Sequence, residues 1–296
     1  MALKMPQVVT VLPFEGLLGE GALWDAQRKV VWFVDIKKHH VWHYDPVTGS
    51  NSRWQSPDQV GWVVPCEGDK LLAGLKDGLY LFDPHASSFD KLCSVPGEPA
   101  HNRLNDGCTH PAGICYFGSM DDGEEQHTGA FYRFDRGKID RVGPAGISIT
   151  NGPAVNADGT RIYMTDTVGK KILVADIGTD GLPGPARLFA DTALDFPEAF
   201  PDGPVCDAEG YLWTGLWNGW AVARYTPQGK FDRKVAIPAA NVTKLAFGGT
   251  DLKTAYVTTA RKGLDEAALA QQPLAGSLFS FRSEIAGFAQ AAVKLS

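Results

Sequence analysis

The chain has 296 residues, of which 44% are hydrophobic and 21% are charged, and this globular composition excludes a disordered, collagen-like or coiled-coil protein. Its 34 acidic residues outnumber its 28 basic residues and give a formal net charge of -6, so there is no basic excess to neutralise the phosphates of a nucleic acid. We therefore expect a neutral or anionic small molecule as the partner, and no nucleic acid.

The sequence predicts neither a membrane segment nor an export signal. Its longest uninterrupted apolar run covers residues 30–34, far short of the roughly 20 residues that cross a bilayer. The N-terminal region lacks the apolar run of roughly 7 to 15 residues that a signal peptide requires, because Pro13 and Glu15 interrupt it. The five cysteines are odd in number and show no Cys-x-x-Cys spacing, which favours reduced thiols. We therefore expect a cytoplasmic protein without a membrane partner.

Short apolar runs bounded by Gly, Asp or Pro recur along the chain and predict β-strands. The clearest of them cover residues 30–34, 71–75, 114–118, 161–165 and 211–215. Helical periodicity is almost absent, and its best example is residues 265–271. The pattern predicts a nearly all-β protein.

A longer pattern recurs six times: a polar residue, a short apolar run, a turn, a strand that contains an aromatic residue, and a further strand that often ends near Asp or Pro. The polar residues that open the six copies are Glu20, Gln59, Asn105, Asn151, Asp202 and Thr243. Each copy has roughly 40 to 50 residues, the length of one four-stranded propeller blade. We predict a single six-bladed β-propeller domain over residues 1–296.

Two segments outside the repeats have a predicted role in closing the ring. Residues 8–12 precede the first copy, and residues 292–295 follow the last one. We expect both to join the last blade and cover its exposed edge. A β-sandwich would show irregular strand spacing, and a TIM barrel would need eight helices that the sequence lacks.

The innermost strands of a propeller line its central channel, so the polar residues at their starts are expected to converge. Carboxylate and amide oxygens suit hard divalent cations. We predict that Glu20, Asn151 and Asp202 hold one divalent cation (Ca²⁺, Mn²⁺, Zn²⁺, Mg²⁺ or Fe²⁺), although Glu20 and Asn151 could instead cap turns. Lys244 lies one position past the channel-facing residue of the sixth copy, so strand alternation predicts a surface or inter-blade role for it.

Several motifs resemble those of the SMP-30/gluconolactonase/regucalcin family. They are Gly19-Glu-Gly-Ala-Leu-Trp-Asp, Arg103-Leu-Asn-Asp-Gly, Thr150-Asn-Gly-Pro, Phe200-Pro-Asp-Gly and Phe247-Gly-Gly-Thr-Asp-Leu. The resemblance extends from about Leu18 to Phe281, and is greater to bacterial sugar lactonases, including those acting on pentonolactones, than to the animal calcium-regulatory members. It implies a six-bladed propeller that binds one divalent cation and hydrolyses a sugar lactone.

The resemblance also implies roles for individual residues. The family's metal ligands fall on Glu20, Asn151 and Asp202, and its substrate-binding residues fall on Arg103 and Asn105. A further acidic substrate-binding residue falls on Glu124 or Glu125, and we favour Glu124. Trp62, Trp217 and Trp220 are additional candidates for lining a sugar pocket.

In the predicted mechanism the cation polarises the lactone carbonyl and activates water, with Asp202 as the general base. Arg103 would hold the developing oxyanion or a hydroxyl group of the sugar. Two alternatives stay open: a non-enzymatic propeller that binds a divalent cation or a ligand in a regulatory role, and a protein-interaction propeller. The sequence predicts neither the sugar, nor the metal, nor the oligomeric state.

Overall fold

A computed structural model describes residues 6–296 of the chain. The expectation that no signal peptide is present rests partly on residues 1–5, which lie outside the described residues. No helix in the described part is long and apolar enough to cross a membrane. All five cysteines are free, as the sequence predicted.

The described residues form 24 strands arranged as six four-stranded antiparallel sheets, so the predicted six-bladed β-propeller is confirmed. In chain order the strands are β1 (Val8–Leu12), β2 (Gly19–Asp25), β3 (Val30–Asp35), β4 (His40–Tyr44), β5 (Asn51–Gln55), β6 (Val60–Pro65), β7 (Leu71–Leu75), β8 (Gly78–Asp83), β9 (Ser88–Cys93), β10 (Asn102–Thr109), β11 (Cys115–Asp121), β12 (Gly129–Asp135), β13 (Lys138–Ile147), β14 (Thr150–Val155), β15 (Arg161–Asp166), β16 (Lys171–Asp176), β17 (Arg187–Asp191), β18 (Phe200–Cys206), β19 (Leu212–Trp217), β20 (Ala221–Tyr225), β21 (Phe231–Ala236), β22 (Asn241–Gly248), β23 (Thr254–Ala260) and β24 (Leu278–Arg282).

Blades one to five each consist of four consecutive strands, starting with β2, β6, β10, β14 and β18 as the innermost strands. The sixth blade contains β22, β23 and β24 and takes β1 as its outermost strand. A 3-10 helix covers Thr192–Leu194, and a short α-helix, α1 (Glu266–Gln271), lies between β23 and β24, where the sequence predicted helical periodicity. The Asp265 side chain caps α1 by accepting a hydrogen bond from the backbone of Ala268.

The ring is closed by β1, which pairs antiparallel with β24 and places Val8 opposite Phe281. The prediction for residues 8–12 is therefore confirmed. The prediction that residues 292–295 also join the last blade is wrong, because Val293 forms a parallel bridge with Cys66 of the second blade. β1 already occupies the outer edge of β24. The C-terminal segment instead crosses the end of the channel where the innermost strands finish.

The core lies between the blades, where the faces of neighbouring sheets pack together. The innermost strands are largely buried, and every residue of β2, β14 and β22 is buried. Aromatic side chains fill the space between blades; Trp32, for example, lies 5.5 Å from Trp54 and 6.1 Å from Phe82 between ring centroids. Burying a large apolar side chain contributes about 1.5–3 kcal/mol to folding, so these contacts fix the blades around the channel.

Each innermost strand contains one extra residue relative to its neighbour, which is a β-bulge. Between Leu104 and Gly107, for example, β10 advances three residues while the paired segment from Ser119 to Phe117 covers two. A bulge interrupts the strict alternation of side chains between the two faces of a strand. The bulges lie where the sequence placed the candidate site residues, so they decide which side chains enter the channel.

Candidate active site

A cavity of about 210 Å³ opens at the end of the channel where the innermost strands begin. All six residues that the sequence nominated as ligands or substrate contacts line it: Glu20, Arg103, Asn105, Glu124, Asn151 and Asp202. Glu125, the alternative to Glu124, is not among its lining residues. The structure thus brings the candidates from four innermost strands and one loop into a single cavity.

Two buried carboxylates form the acidic part of the cavity. The backbone N–H of Gly21 donates to Glu20 Oε2 at 2.8 Å, and that of Gly203 donates to Asp202 Oδ1 at 2.9 Å. Burial, together with the charge of Asp106, raises the pKa of Glu20 to about 7. Burial and the neighbouring charge of Glu20 raise the pKa of Asp202 well above its ordinary value. Among the described residues, no lysine or arginine forms an ion pair with either carboxylate.

Asn151 is held so that its two amide atoms have different roles. Its Nδ2 donates to Thr167 Oγ1 at 2.9 Å, and Thr167 in turn donates to the carbonyl of Pro201 at 2.9 Å. Its Oδ1 accepts a hydrogen bond from Asn105 Nδ2 at 3.0 Å. Because the amino group is engaged by Thr167, the carbonyl oxygen is the atom left to serve as a ligand.

Arg103 is buried beside these groups and is fixed along most of its guanidinium. Its Nη1 donates to Asn105 Oδ1 at 2.5 Å, and its Nε donates to Asp122 Oδ1 at 3.2 Å. Asp122 also accepts hydrogen bonds from Lys37 at 2.5 Å and from Gln59 at 2.7 Å. Burial opposes ionisation of Asp122, but these hydrogen bonds and the adjacent positive charges hold its pKa at about 2.

Sequence reasoning missed Asp122, although it belongs to the acidic segment that also contains Glu124. The only signal was the run of four acidic residues around Gly123, and nothing in it distinguished a substrate contact from an anchor for Arg103. Gln59, the predicted channel-facing residue of the second blade, donates to Asp122 and does not line the cavity.

An ion pair between Lys262 and Glu124 lies at the mouth of the cavity, and both residues line it. Glu124 belongs to the loop between β11 and β12, and Lys262 to the long connection between β23 and β24. Sequence reasoning missed Lys262 because the strand pattern does not specify the path of that connection. The pair joins loops from the third and sixth blades.

The prediction of a surface position for Lys244 is wrong, whereas the alternative, an inter-blade role, is confirmed, because Lys244 of the sixth blade pairs with Asp106 of the third blade. Its Nζ is buried in the channel and contacts Asp106 Oδ1 at 2.5 Å and Oδ2 at 2.7 Å. Thr243, predicted to face the channel, instead donates to the backbone carbonyl of Gly19 at 2.6 Å. The bulge in β22 between Val242 and Leu245 shifts the alternation of side chains by one residue. For this reason Lys244, and not Thr243, enters the channel.

The three tryptophan candidates have different locations. Trp217 lines the cavity. Trp62 is only 1% exposed and lies deeper in the channel, where it lines a second cavity of about 40 Å³. Trp220 is 43% exposed and is not a lining residue. The prediction of a sugar-pocket position therefore fits Trp217 and is wrong for the other two.

The donor set of the cavity is suited to a hard divalent cation. Glu20, Asn151 and Asp202 supply two carboxylates and an amide oxygen, and neither acid forms an ion pair with a Lys or Arg of residues 6–296. Buried carboxylates require a compensating charge or protonation, and oxygen ligands of this kind bind Ca²⁺, Mg²⁺ or Mn²⁺. Residues 6–296 contain no group of three or more His, Cys, Asp or Glu side chains in metal-binding proximity, so any such site must mix carboxylates with amides.

Comparisons with known proteins agree with the fold. Residues 18–261 match the family model described as SMP-30/Gluconolactonase/LRE-like region. A 6-deoxy-6-sulfogluconolactonase of Pseudomonas putida is 30% identical over 93% of this chain and 94% of its own length. An L-arabinolactonase of Azospirillum brasilense is 33% identical over 93% of this chain and 91% of its own length.

Among solved structures, a calcium-binding protein, regucalcin, from Agrobacterium tumefaciens superimposes with a TM-score of 0.92 at 28% sequence identity. The match covers 98% of this chain and 97% of that protein. The family model and both lactonase relatives align along most of the sequence, which confirms the resemblance noted from its motifs. The chain belongs to the SMP-30/gluconolactonase/LRE-like family.

Proposed function

We propose that the protein hydrolyses a sugar lactone to the corresponding aldonic acid and that it uses one divalent cation. The observation that carries the proposal is the convergence of Glu20, Asn151 and Asp202 beside Arg103 in one cavity. The two acids are buried, and no Lys or Arg in the described part of the chain forms an ion pair with them. Lactone hydrolysis is the activity named for the relatives from Pseudomonas putida and Azospirillum brasilense.

Glu20, Asn151 and Asp202 would hold the cation through oxygen atoms. A divalent cation supplies Lewis-acid polarisation of a carbonyl and a lower pKa of water when it is bound. Asp202 acts as the general base and accepts the proton of the attacking water, because its carboxylate lies inside the cavity and one of its oxygens is held by Gly203.

Arg103 stabilises the oxyanion that develops when water adds to the lactone carbonyl. Its Nε and Nη1 are engaged by Asp122 and Asn105, while its Nη2 makes no hydrogen bond within the described residues. A donor held in this way requires little reorganisation during the reaction. Asn105 orients a hydroxyl group of the substrate, and Glu124 accepts a hydrogen bond from another at the mouth of the cavity.

The finer assignments rest on the relatives and on the composition of the chain. A pentonolactone is our preferred substrate, because the relative from Azospirillum brasilense is an L-arabinolactonase. A cytoplasmic location fits the five free cysteines. A second candidate, a propeller that binds calcium without turnover, is favoured by the likeness to the calcium-binding regucalcin from Agrobacterium tumefaciens.

A panel of lactones separates the two candidates. We would follow proton release from L-arabinono-1,4-lactone, D-xylono-1,4-lactone and D-glucono-1,5-lactone with the unsubstituted protein and with Asp202→Asn. We expect turnover of a pentonolactone above the spontaneous rate, and a loss of at least a hundredfold in Asp202→Asn. Calcium binding without turnover of any lactone would favour the binding protein instead.

A further inference from the structure

We propose that Lys244 and Asp106 form a positioning pair that holds Asn151 and Asp202 in the arrangement needed for cation binding, an inference that rests on the proposed metal site. The two residues come from opposite sides of the ring, Lys244 from the sixth blade and Asp106 from the third. They meet inside the channel below the candidate ligands, where their side chains are 8% and 1% exposed.

The cavity of about 210 Å³ that contains the candidate ligands is called the upper cavity. Neither Lys244 nor Asp106 lines it, so a direct contact with substrate is not expected. Lys244 instead lines the cavity of about 40 Å³ deeper in the channel. A role in the reaction must act through the residues above the ion pair.

Asp106 is connected to the strand that carries Asn151. Its Oδ2 accepts a hydrogen bond from the backbone N–H of Gly152 at 3.0 Å, and its Oδ1 accepts one from Gly107 at 2.7 Å. Gly152 directly follows Asn151, and Asp106 directly follows Asn105. The carboxylate thus joins β10 and β14 beneath the two asparagines.

Lys244 is connected to the strand that carries Asp202. Its aliphatic stem lies against Gly203, where an added Cβ would be 2.7 Å from Cγ of Lys244. Gly203 is the residue that donates to the Asp202 carboxylate. With Lys244 bound to both oxygens of Asp106, strands from the third, fourth, fifth and sixth blades are fixed relative to one another.

Lys244 could affect cation binding by positioning the ligands or only through its positive charge. The two roles predict opposite changes in cation affinity when Lys244 is replaced by methionine. If Lys244 acted only by its positive charge, its removal would leave Asp106 unpaired near the cavity and strengthen cation binding. If Lys244 positions the ligands, its removal weakens cation binding despite the additional negative charge. The direction of the change in affinity therefore separates the two roles.

We would measure the dissociation constant of Mn²⁺ by calorimetry for the unsubstituted protein, Lys244→Met and the control Arg224→Met. Arg224 forms another buried ion pair, with Asp207 at 2.7 Å, and lies outside the upper cavity. We expect Lys244→Met to weaken Mn²⁺ binding at least tenfold, whereas Arg224→Met lowers the melting temperature and keeps Mn²⁺ affinity within about twofold. Unchanged or tighter binding in folded Lys244→Met would overturn the proposal.

An unpaired buried carboxylate could prevent Lys244→Met from folding, so a second variant removes both charges. In Lys244→Met/Asp106→Leu the N–H of Gly152 loses its acceptor, and we expect at least fivefold weaker Mn²⁺ binding. Binding equal to that of the unsubstituted protein would contradict a positioning role. Absence of Mn²⁺, Ca²⁺ and Zn²⁺ binding by the unsubstituted protein would instead refute the proposed metal site itself, and this role with it.

Discussion

Asp122 lies outside the cavity but holds Arg103, which lines it. The guanidinium of Arg103 is held by Asp122 through Nε, and Asp122 is itself held by Lys37 and Gln59. A hydrogen bond between two charged groups contributes more than a neutral one, particularly where the partners are largely buried. Asp122 therefore fixes the orientation of the Arg103 guanidinium in the cavity.

We predict that Asp122→Asn reduces kcat/KM for a pentonolactone by about 10- to 100-fold, which corresponds to about 1.4–2.8 kcal/mol. The asparagine cannot accept from Arg103, Lys37 and Gln59 with the strength of a carboxylate, so the guanidinium loses its orientation. Steady-state kinetics provide the measurement. Asp140→Asn is the control, since Asp140 forms an ion pair with Arg133 over a distance of 3.1 Å and neither residue lines the cavity. Equal losses in both variants would contradict the assigned role.

The raised pKa of Glu20 predicts how the stability of the metal-free protein depends on pH. Burial raises this pKa from 4.5 to about 7, so the folded state binds a proton in a pH range where the unfolded state has released it. Stability from this group is fully present below pH 4.5 and is lost as the pH rises towards 7. Asp202 contributes in the same direction, because its pKa is also raised.

We expect the free energy of unfolding of the chelated protein to fall by up to about 3 kcal/mol between pH 5 and pH 8 from Glu20 alone. Urea titrations at several pH values measure it. Glu20→Gln should reduce this slope, because the amide does not titrate. Stability that increases over the same pH range, with the slope unchanged in Glu20→Gln, is the result that would disagree.

At the scale of single elements, the β-bulges of the innermost strands allow the blades to approach one another closely around the channel. Gly61 lies within the bulge of β6, and an added Cβ would be 2.5 Å from the carbonyl oxygen of Asn105 and 2.7 Å from that of Leu104. The clash is with the backbone of the neighbouring blade, which cannot rotate away. β10 would have to move, and it carries Arg103 and Asn105.

Gly61→Ala should therefore lower stability by about 1–3 kcal/mol and reduce lactone turnover as well. Gly184→Ala is the matched control, since the nearest atom to its added Cβ is 3.6 Å away. Thermal unfolding and steady-state kinetics on both variants test the prediction. If Gly61→Ala proved as stable and active as Gly184→Ala, the close approach of β6 to β10 would not be important for the site.

At the scale of the whole molecule, two terminal segments hold the ring together. β1 closes the sixth blade, and the C-terminal segment crosses the end of the channel opposite the candidate site. The backbone N–H of Val293 donates to Pro65 at 2.8 Å, that of Lys294 donates to Gly113 at 2.8 Å, and Val293 is fully buried. The segment thereby connects the second and third blades.

Deletion of residues 287–296 should destabilise the protein by about 2–4 kcal/mol, because buried Val293 and several backbone hydrogen bonds are lost. Urea unfolding provides the measurement, and deletion of the exposed Ser296 alone is the control. Since the segment lies far from the upper cavity, the folded fraction should keep its affinity for Mn²⁺. Unchanged stability after the longer deletion would show that the segment does not hold the ring.

The sequence predicted the features that repeat and missed those that depend on contacts between distant segments. Six copies of one pattern predicted the blades, and the same register identified Glu20, Asn151 and Asp202, which the structure places in one cavity. The sequence did not show that Lys244 enters the channel, because alternation along β22 is shifted by its bulge. The pattern of apolar and polar residues within one strand does not show that the strand has one residue more than its partner.

The position of the C-terminal segment was predicted wrongly, and the residues of the loops at the mouth of the cavity were missed. Residues 292–295 have the composition of a strand, yet Val293 pairs with Cys66 of the second blade, far away in the sequence. Asp122 and Lys262 acquire their positions from loops whose paths are set by neighbouring blades. Such positions depend on tertiary packing and not on local patterning.

The most direct test of the account is a titration of metal-free protein with Mn²⁺ in which bound metal and pentonolactone hydrolysis are measured in the same samples. If Glu20, Asn151 and Asp202 form one catalytic cation site, activity should rise linearly with bound metal and reach its maximum at one equivalent. Full hydrolysis by protein that contains no metal, or binding of one equivalent that leaves the rate unchanged, would contradict the account.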